Sequence, residues 1–224
     1  MSYTLQYGQV LPYLPDLIGG AWLTVEIAVV SFCGGLLIGT AGAAVLSFAP
    51  AWARRLVRAY VVAFTNTPQL VQIYFLVFAL PDWGVVLSPL SAVVLGMTLN
   101  AGAYLTEIQR AGFASRRRTE MEAAETLNFS RWQQIRHVVL PHVARTLFPP
   151  LSNQLIIMIL GSSMASVFGV EELTGRTLNI NSATFRSIEV FTLAALLYVL
   201  LTLCLSFALG LLGRGLFRIK EGMV

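Results

Sequence analysis

The sequence predicts an all-α integral membrane protein with five transmembrane helices. Hydrophobic residues make up 56% of the 224 residues and charged residues only 12%, whereas soluble domains have roughly 25% charged residues. A spanning helix needs about 20 mainly apolar residues, and five stretches meet this requirement: 17–48, 56–80, 89–112, 146–168 and 189–214. We therefore expect a single transmembrane domain over residues 1–224.

The basic residues predict the orientation of the spans. All but two of the 15 Lys and Arg residues lie after the first span, around the connection that follows the third span, or at the C-terminal end; the other two are Arg176 and Arg186. Because basic residues concentrate on the cytoplasmic side of membranes, the N-terminus is predicted outside and the C-terminus in the cytoplasm. No Lys or Arg precedes the first span, so we expect no cleavable signal peptide. The same clustering favours topology signals over nucleic-acid binding.

The segment between the third and fourth spans, residues 114–146, is too polar to cross the membrane and is predicted to be cytoplasmic. Its EMEAAETL run favours a helix, and SRWQQIRHVVL favours a second one with Ser130 as N-cap and Pro141 at its end. Asn128 lies between them, and Asn tolerates the left-handed conformation of a tight turn. We predict a helix-turn-helix, which Ala123 and Ala124 keep small enough to enter a groove on a partner.

The two outer connections differ in length. Residues 81–88 are short, whereas residues 169–188 are longer and polar and are predicted to be extracytoplasmic. The longer segment is expected either to lie over a cavity mouth or meet a partner, or to be a solvated loop.

The second and third spans carry polar residues at helical spacing. Asn66, Gln69 and Gln72 recur every three residues and are expected to share one side of a helix, and Pro68 is expected to free a carbonyl and kink the chain. Tyr104 and Glu107 follow Asn100 at helical spacing in the third span.

The fourth span adds Asn153 near its inner end and serines in its outer half. Polar groups at membrane depth usually face the protein interior or a wet cavity, although hydrogen bonding between helices is the alternative for any one of them. Together they predict a partly hydrated pathway, lined by Asn66, Gln69, Asn100, Ser163 and Ser166. In the first span, Gly35 and Gly39 form a GxxxG spacing that permits close helix packing.

Residues for enzyme chemistry are lacking. The one lysine, Lys220, is in the C-terminal tail, whereas a phosphate-binding Walker A loop needs a lysine directly after its last glycine. His137 and His142 have no Glu arranged as in a zinc-protease helix. We expect no catalytic residue, metal site or cofactor in this chain, and ATP hydrolysis by a separate subunit.

The segment 114–146 resembles the EAA loop of ABC importer permeases, which docks into the ATPase subunit. The order EAA, a turn residue, an Ile and then LP corresponds here to Glu122, Ala123, Ala124, Asn128, Ile135, Leu140 and Pro141. The segments NTPQLVQIYF, AYLTEIQRAG, SSMASVFGVEELT and TFRSIEVFTLAALLYVLL are similar to permeases of polar amino acid and opine importers.

This resemblance implies a type I importer permease in the bacterial cytoplasmic (inner) membrane. It implies pairing with an identical or paralogous permease, two cytoplasmic ATPases that bind ATP and Mg, and an extracytoplasmic substrate-binding protein. Asn128 replaces the usual Gly of the loop, Thr119 and Glu120 replace Gly-Gln, and Thr65 and Leu160 replace an Arg and a Lys. The alternative is a stand-alone secondary transporter or channel, which would carry ion-coupling carboxylates at mid-membrane.

Overall fold

The computed structural model describes residues 4–115 and 118–217, except for the side chain of Arg118. All regular structure within these ranges is helical. The α-helices are α1 Leu14–Phe48, α2 Ala51–Thr65, α3 Gln69–Tyr74, α4 Pro89–Ala114, α5 Arg118–Thr126, α6 Arg131–Gln134, α7 Leu140–Gly161, α8 Leu173–Thr184 and α9 Ser187–Phe217. π-helical turns at Phe75–Ala79 and Ile135–Val139 follow α3 and α6, and a 3₁₀ turn at Ser162–Phe168 follows α7. Arg116, Arg117, Arg218 and Lys220 lie outside the described residues.

Helices α1 and α4 form the most extensive helix pair in the described chain. A Cβ atom added to Gly35 would lie 2.7 Å from the Cβ of Ala101, and one added to Gly39 would lie 2.7 Å from the Cβ of Leu105. The close approach predicted from the GxxxG spacing is therefore confirmed. The core continues from this pair to buried side chains of α3 and α7, among them Ile73 and Ile159.

Within residues 4–115 and 118–217, three helical runs are long and apolar enough to cross a membrane: Tyr7–Phe48, Arg131–Phe168 and Ser187–Phe217. The bent pair Ala51–Thr65 and Gln69–Trp83 makes up to four. α4 is long enough at 26 residues, but polar side chains such as Asn100 and Glu107 lower its hydropathy. The described residues thus contain several apolar helices, and the count of five spans stays a prediction.

The predicted second span is two helices and not one. α2 ends at Thr65, α3 begins at Gln69, and the chain bends by 105° between them. Pro68 lies at this bend with φ −60° and ψ 134°, so the expected kink is present. The expectation that Asn66, Gln69 and Gln72 share one side of a helix is wrong, because residues 66–68 are not helical.

Pro141 does not end a helix, contrary to the prediction. Helical structure runs without interruption from Arg131 to Phe168, and Pro141 lies in the first turn of α7. Proline has no N–H to donate, and its ring crowds the preceding helical turn. The π-helical turn Ile135–Val139 directly precedes α7, and its wider ring of backbone hydrogen bonds gives the proline room.

Residues 169–188 are not a solvated loop. They contain α8, whose Leu173 and Thr177 are fully buried. The Glu172 side chain is also fully buried and caps α8 by accepting hydrogen bonds from the backbone N–H groups of Thr174 (2.9 Å) and Gly175 (3.0 Å). The segment is therefore part of the packed structure.

The Glu172 carboxylate also joins α8 to two long helices. It accepts hydrogen bonds from the hydroxyls of Thr24 in α1 (3.1 Å) and Tyr198 in α9 (3.0 Å). Arg176 forms an ion pair with Asp16 at 2.5 Å. Local sequence patterns do not predict these contacts, because the partners are far apart in the chain.

Candidate functional site

A cavity of about 730 Å³ opens beside the bend between α2 and α3. Most of its lining surface is apolar, and we call it the polar cavity after the side-chain amides that line it. It is lined from three sides: by the bend, by α4 and by α7. Three of the five residues predicted to line a pathway meet there, namely Asn66, Gln69 and Asn100.

The bend is held by a network of side-chain amides. Because Pro68 has no N–H, the carbonyl of Phe64, four residues earlier, loses its helical donor. The Gln72 amide nitrogen donates to that carbonyl at 2.9 Å, and the Asn100 amide nitrogen donates to it at 3.3 Å. Asn100 also donates to Oε1 of Gln72 at 3.1 Å. α4 thus supports the non-helical backbone next to the cavity.

Polar side chains within the bend donate hydrogen bonds to carbonyls near the end of α2. The Asn66 amide donates to the carbonyl of Val62 at 2.9 Å, and the Thr67 hydroxyl donates to that of Ala63 at 2.8 Å. The Val62 carbonyl also accepts from the backbone N–H of Asn66 at 3.2 Å, so both carbonyls near the end of α2 have donors. One wall of the cavity is therefore formed by side chains that already donate hydrogen bonds to backbone carbonyls.

Two other side-chain amides that line the cavity do not hydrogen-bond to the backbone. Among the described residues, the side chains of Gln69 and Gln154 have no hydrogen-bond partner. None of the described lining residues carries a formal charge. The cavity therefore offers a small polar ligand both donors and acceptors but no fixed charge.

The predicted serines are not part of this cavity. Ser163 is half-buried, and its hydroxyl donates to the carbonyl of Leu160 at 2.8 Å. Ser166 donates to the carbonyl of Ser163 at 2.7 Å and lines a smaller pocket of about 160 Å³ near Glu171. Local hydrogen bonding to the preceding turn occupies both hydroxyls.

The polar residues Asn100, Tyr104 and Glu107 of α4 line two different cavities. Tyr104 lines the polar cavity and its hydroxyl donates to the carbonyl of Thr65 at 3.4 Å. Glu107 instead forms an ion pair with Arg110 at 2.6 Å and lines a different cavity.

Gln154 was missed by the sequence reasoning, which singled out its neighbour Asn153. Asn153 is exposed, whereas Gln154 lines the cavity and is 9% exposed. The spacing of Gln154, Ile157 and Gly161, which places all three on one face of α7, is the signal that would have identified it.

The helix-turn-helix predicted within 114–146 is present as α5, a tight turn and α6. Asn128 has φ 53°, so the predicted left-handed turn residue is confirmed. Ser130 caps α6: its hydroxyl accepts from the N–H of Gln133 (3.3 Å), and its own N–H donates to the Gln133 side chain (2.8 Å). This reciprocal pair is a capping box.

The paired alanines of this element differ in burial. Ala123 is exposed, but Ala124 is only 3% exposed. Both alanines and Pro141 line a groove of about 450 Å³ between α5 and α7. The Ala124 side chain therefore packs within this chain, and the entry of the whole element into a partner's groove stays a prediction.

Several other residues of the predicted EAA pattern are accessible. Glu122 is exposed, Ile135 is 49% exposed and Leu140 is 60% exposed. A surface of this kind, with apolar side chains beside an acidic one, is suited to contact another protein.

A protein-family model described as "Binding-protein-dependent transport system inner membrane component" matches residues 35–218. The chain belongs to this family. It is therefore an inner-membrane permease subunit, and the membership implies an ATPase and a substrate-binding protein as partners. The family decides against a stand-alone secondary transporter or channel, and the ATPase is a separate subunit.

Individual relatives agree with this assignment. The glutamine transport system permease protein GlnP of Escherichia coli (strain K12) is 37% identical over 210 residues, which cover 93% of this chain and 96% of GlnP. The octopine transport system permease protein OccM of Rhizobium radiobacter is 32% identical over 195 residues, covering 83% of this chain and 79% of OccM.

The fold of the permease also matches a solved transporter. A crystal structure of an amino acid ABC transporter with histidines superposes with a TM-score of 0.87 at 28% identity, covering 95% of this chain and 99% of that one. The expected fold of a type I ABC importer permease is confirmed by this match.

Proposed function

We propose that this permease carries polar amino acids or opines into the cell, with a preference for substrates whose side chain is uncharged. The observation that carries the proposal is the polar cavity with the unpartnered amides of Gln69 and Gln154. An amide oxygen accepts from an ammonium group and an amide nitrogen donates to a carboxylate, so the two groups together suit a zwitterion. GlnP, a glutamine permease, is similar along nearly the whole chain.

Substrate selection is expected to follow from the missing charge. A fully charged substrate side chain would lose its water without gaining a counter-charge in this cavity, which is unfavourable. An amide or hydroxyl side chain would exchange water for Asn66, Asn100 or Tyr104. Ser163 and Ser166 lie in the 3₁₀ turn that follows α7 and are proposed to line the same pathway outside the cavity.

The complete transporter is proposed to contain two permeases, identical or paralogous, two ATPases and one extracytoplasmic binding protein. Each permease would have five spans, with the N-terminus outside, residues 114–146 in the cytoplasm and residues 169–188 on the opposite side. The distribution of basic residues supports this orientation. ATP and Mg would bind to the ATPases and not to this chain.

The helix-turn-helix is proposed to couple ATPase movement to the spans. Glu122, Ala123, Asn128, Ile135, Leu140 and Pro141 would form or support the contact, and Ala124 would hold α5 against α7. The uninterrupted helical run from Arg131 to Phe168 supports this role, because a continuous helix transmits a push from one end to the other. ATPase closure would thereby shift the equilibrium between inward-open and outward-open states.

Uptake by the reconstituted transporter tests the substrate proposal. Gln154→Ala should raise the KM for glutamine at least about tenfold, because buried polar groups of a bound substrate would lose a partner. The matched control is Asn153→Ala, a change of similar size at the exposed neighbouring position. Equal KM values for the two variants, or stronger competition by arginine than by glutamine, would contradict the proposal.

A further inference from the structure

A second cavity, of about 820 Å³, lies where α1 and α4 end beside the π-helical turn Ile135–Val139. It shares no described lining residue with the polar cavity. One part of its lining is apolar, with Phe48, Phe113 and Ile135 among the contributors. The other part is charged and consists of Arg58, Glu107 and Arg110. A cavity of this composition suits an amphipathic ligand.

The charges in this cavity favour an anion. Two nitrogens of Arg110 donate to Oε2 of Glu107, at 2.6 and 3.1 Å, so these two charges offset each other. Arg58 has no hydrogen-bond or ion-pair partner within the described residues. The described part of the lining therefore retains one positive charge that no negative charge there matches.

The residues beside the cavity mouth have the composition of a membrane–water boundary. α1 ends at Phe48, which is 88% exposed, and Trp52 in the first turn of α2 is 66% exposed. Exposed aromatic side chains next to arginines are typical of the interfacial layer, and Arg54 and Arg55 follow directly. Lipid phosphates occupy the same layer.

We propose that this cavity binds an anionic phospholipid. Arg58 contacts the phosphate, and an acyl chain lies along Phe48, Phe113 and Ile135. A free phosphate would leave the apolar lining unused, and a neutral lipid would gain little from Arg58. The bound lipid also packs against the π-helical turn, so it stabilises the position of the proposed coupling element. We assign the lipid to the cytoplasmic leaflet, and this assignment rests on the proposed orientation.

Native mass spectrometry of the full-length permease, purified with its accompanying subunits and incubated with phosphatidylglycerol or phosphatidylcholine, tests the proposal. Phosphatidylglycerol should be retained preferentially, and Arg58→Gln should weaken its binding about fivefold, as expected for one basic side chain near an anionic surface. Arg55→Gln is the matched control, because Arg55 is on the same helix but does not line the cavity. Ala114→Leu, which fills the cavity without changing charge, should also reduce retention.

Four outcomes would overturn the proposal. They are equal losses in Arg55→Gln and Arg58→Gln, unchanged binding in Ala114→Leu, displacement of the lipid by millimolar inorganic phosphate, and retention only when the ATPase is absent. Equal losses in the two arginine variants would indicate diffuse surface attraction, and unchanged binding in Ala114→Leu would place the lipid elsewhere. Displacement by phosphate would indicate a phosphate site. Retention only without the ATPase would indicate a groove that the ATPase occupies. Lipid retention is measured without transport, so it can fail while amino acid uptake succeeds, and the reverse.

Discussion

Replacement of Gln72 by leucine should destabilise the bend between α2 and α3. The Gln72 amide donates to the carbonyls of Phe64 (2.9 Å) and Thr67 (3.1 Å) and to the Thr67 hydroxyl (2.8 Å), and it accepts from Asn100 (3.1 Å). An amide has two N–H groups, so about three full hydrogen bonds are lost. At about 0.6 kcal/mol for each bond between membrane helices, we expect a loss of about 2 kcal/mol.

Thermal unfolding of the purified chain in detergent measures this loss. For a chain of this size, 2 kcal/mol corresponds to a decrease in Tm of about 4–8 °C. Gln69→Leu is the control, because Gln69 lies one turn away on α3 and has no hydrogen-bond partner among the described residues. A Tm for Gln72→Leu within about 1 °C of the parent, or an equal decrease in Gln69→Leu, would refute the reasoning.

Three further predictions concern packing and the coupling element. Ala123→Asp should reduce co-purification of the ATPase while leaving the Tm of the chain unchanged. Ala124→Asp should instead lower the Tm of the chain, because it buries an unpaired charge. The opposite pattern would show that the exposed and the buried alanine are misassigned. Gly39→Leu should lower the folded yield by overpacking against α4, at a cost of about 1–3 kcal/mol or more, whereas Gly210→Leu, with no atom within 4 Å of the added Cβ, should not. Asn128→Val should lower the free energy of unfolding by about 1–2 kcal/mol, because valine is disfavoured at a positive φ, whereas Asn128→Gly should change it little. Equal Tm values for these two variants would contradict the turn assignment.

Features that depend on neighbouring residues were predictable from the sequence. Asn128 and Ser130 adopt the predicted turn and cap because a left-handed residue and a capping box are determined within a few residues. The kink at Pro68 has the same origin. The size of the bend was not predictable, because 105° depends on the amides of Gln72 and Asn100 that support the freed carbonyl.

Predictions failed where a local signal was overridden by packing. Pro141 normally favours a helix end, but the preceding π-helical turn accommodates it. Residues 169–188 are polar enough for a loop, yet buried hydrogen bonds to Glu172 fix α8 against α1 and α9. The burial of Ala124 was not predicted, because it depends on how α5 packs towards α7; its part in ATPase coupling stays a prediction.

By itself, the sequence determined the class of the protein. Apolar stretches, clustered arginines and the EAA pattern indicated a helical membrane permease, because hydropathy and short motifs are properties of the chain before it folds. Only the tertiary structure decided that Asn66, Gln69, Asn100 and Gln154 share a cavity while the two serines do not. Cavity lining depends on how helices from distant parts of the chain pack together, and spacing along one helix does not specify that arrangement.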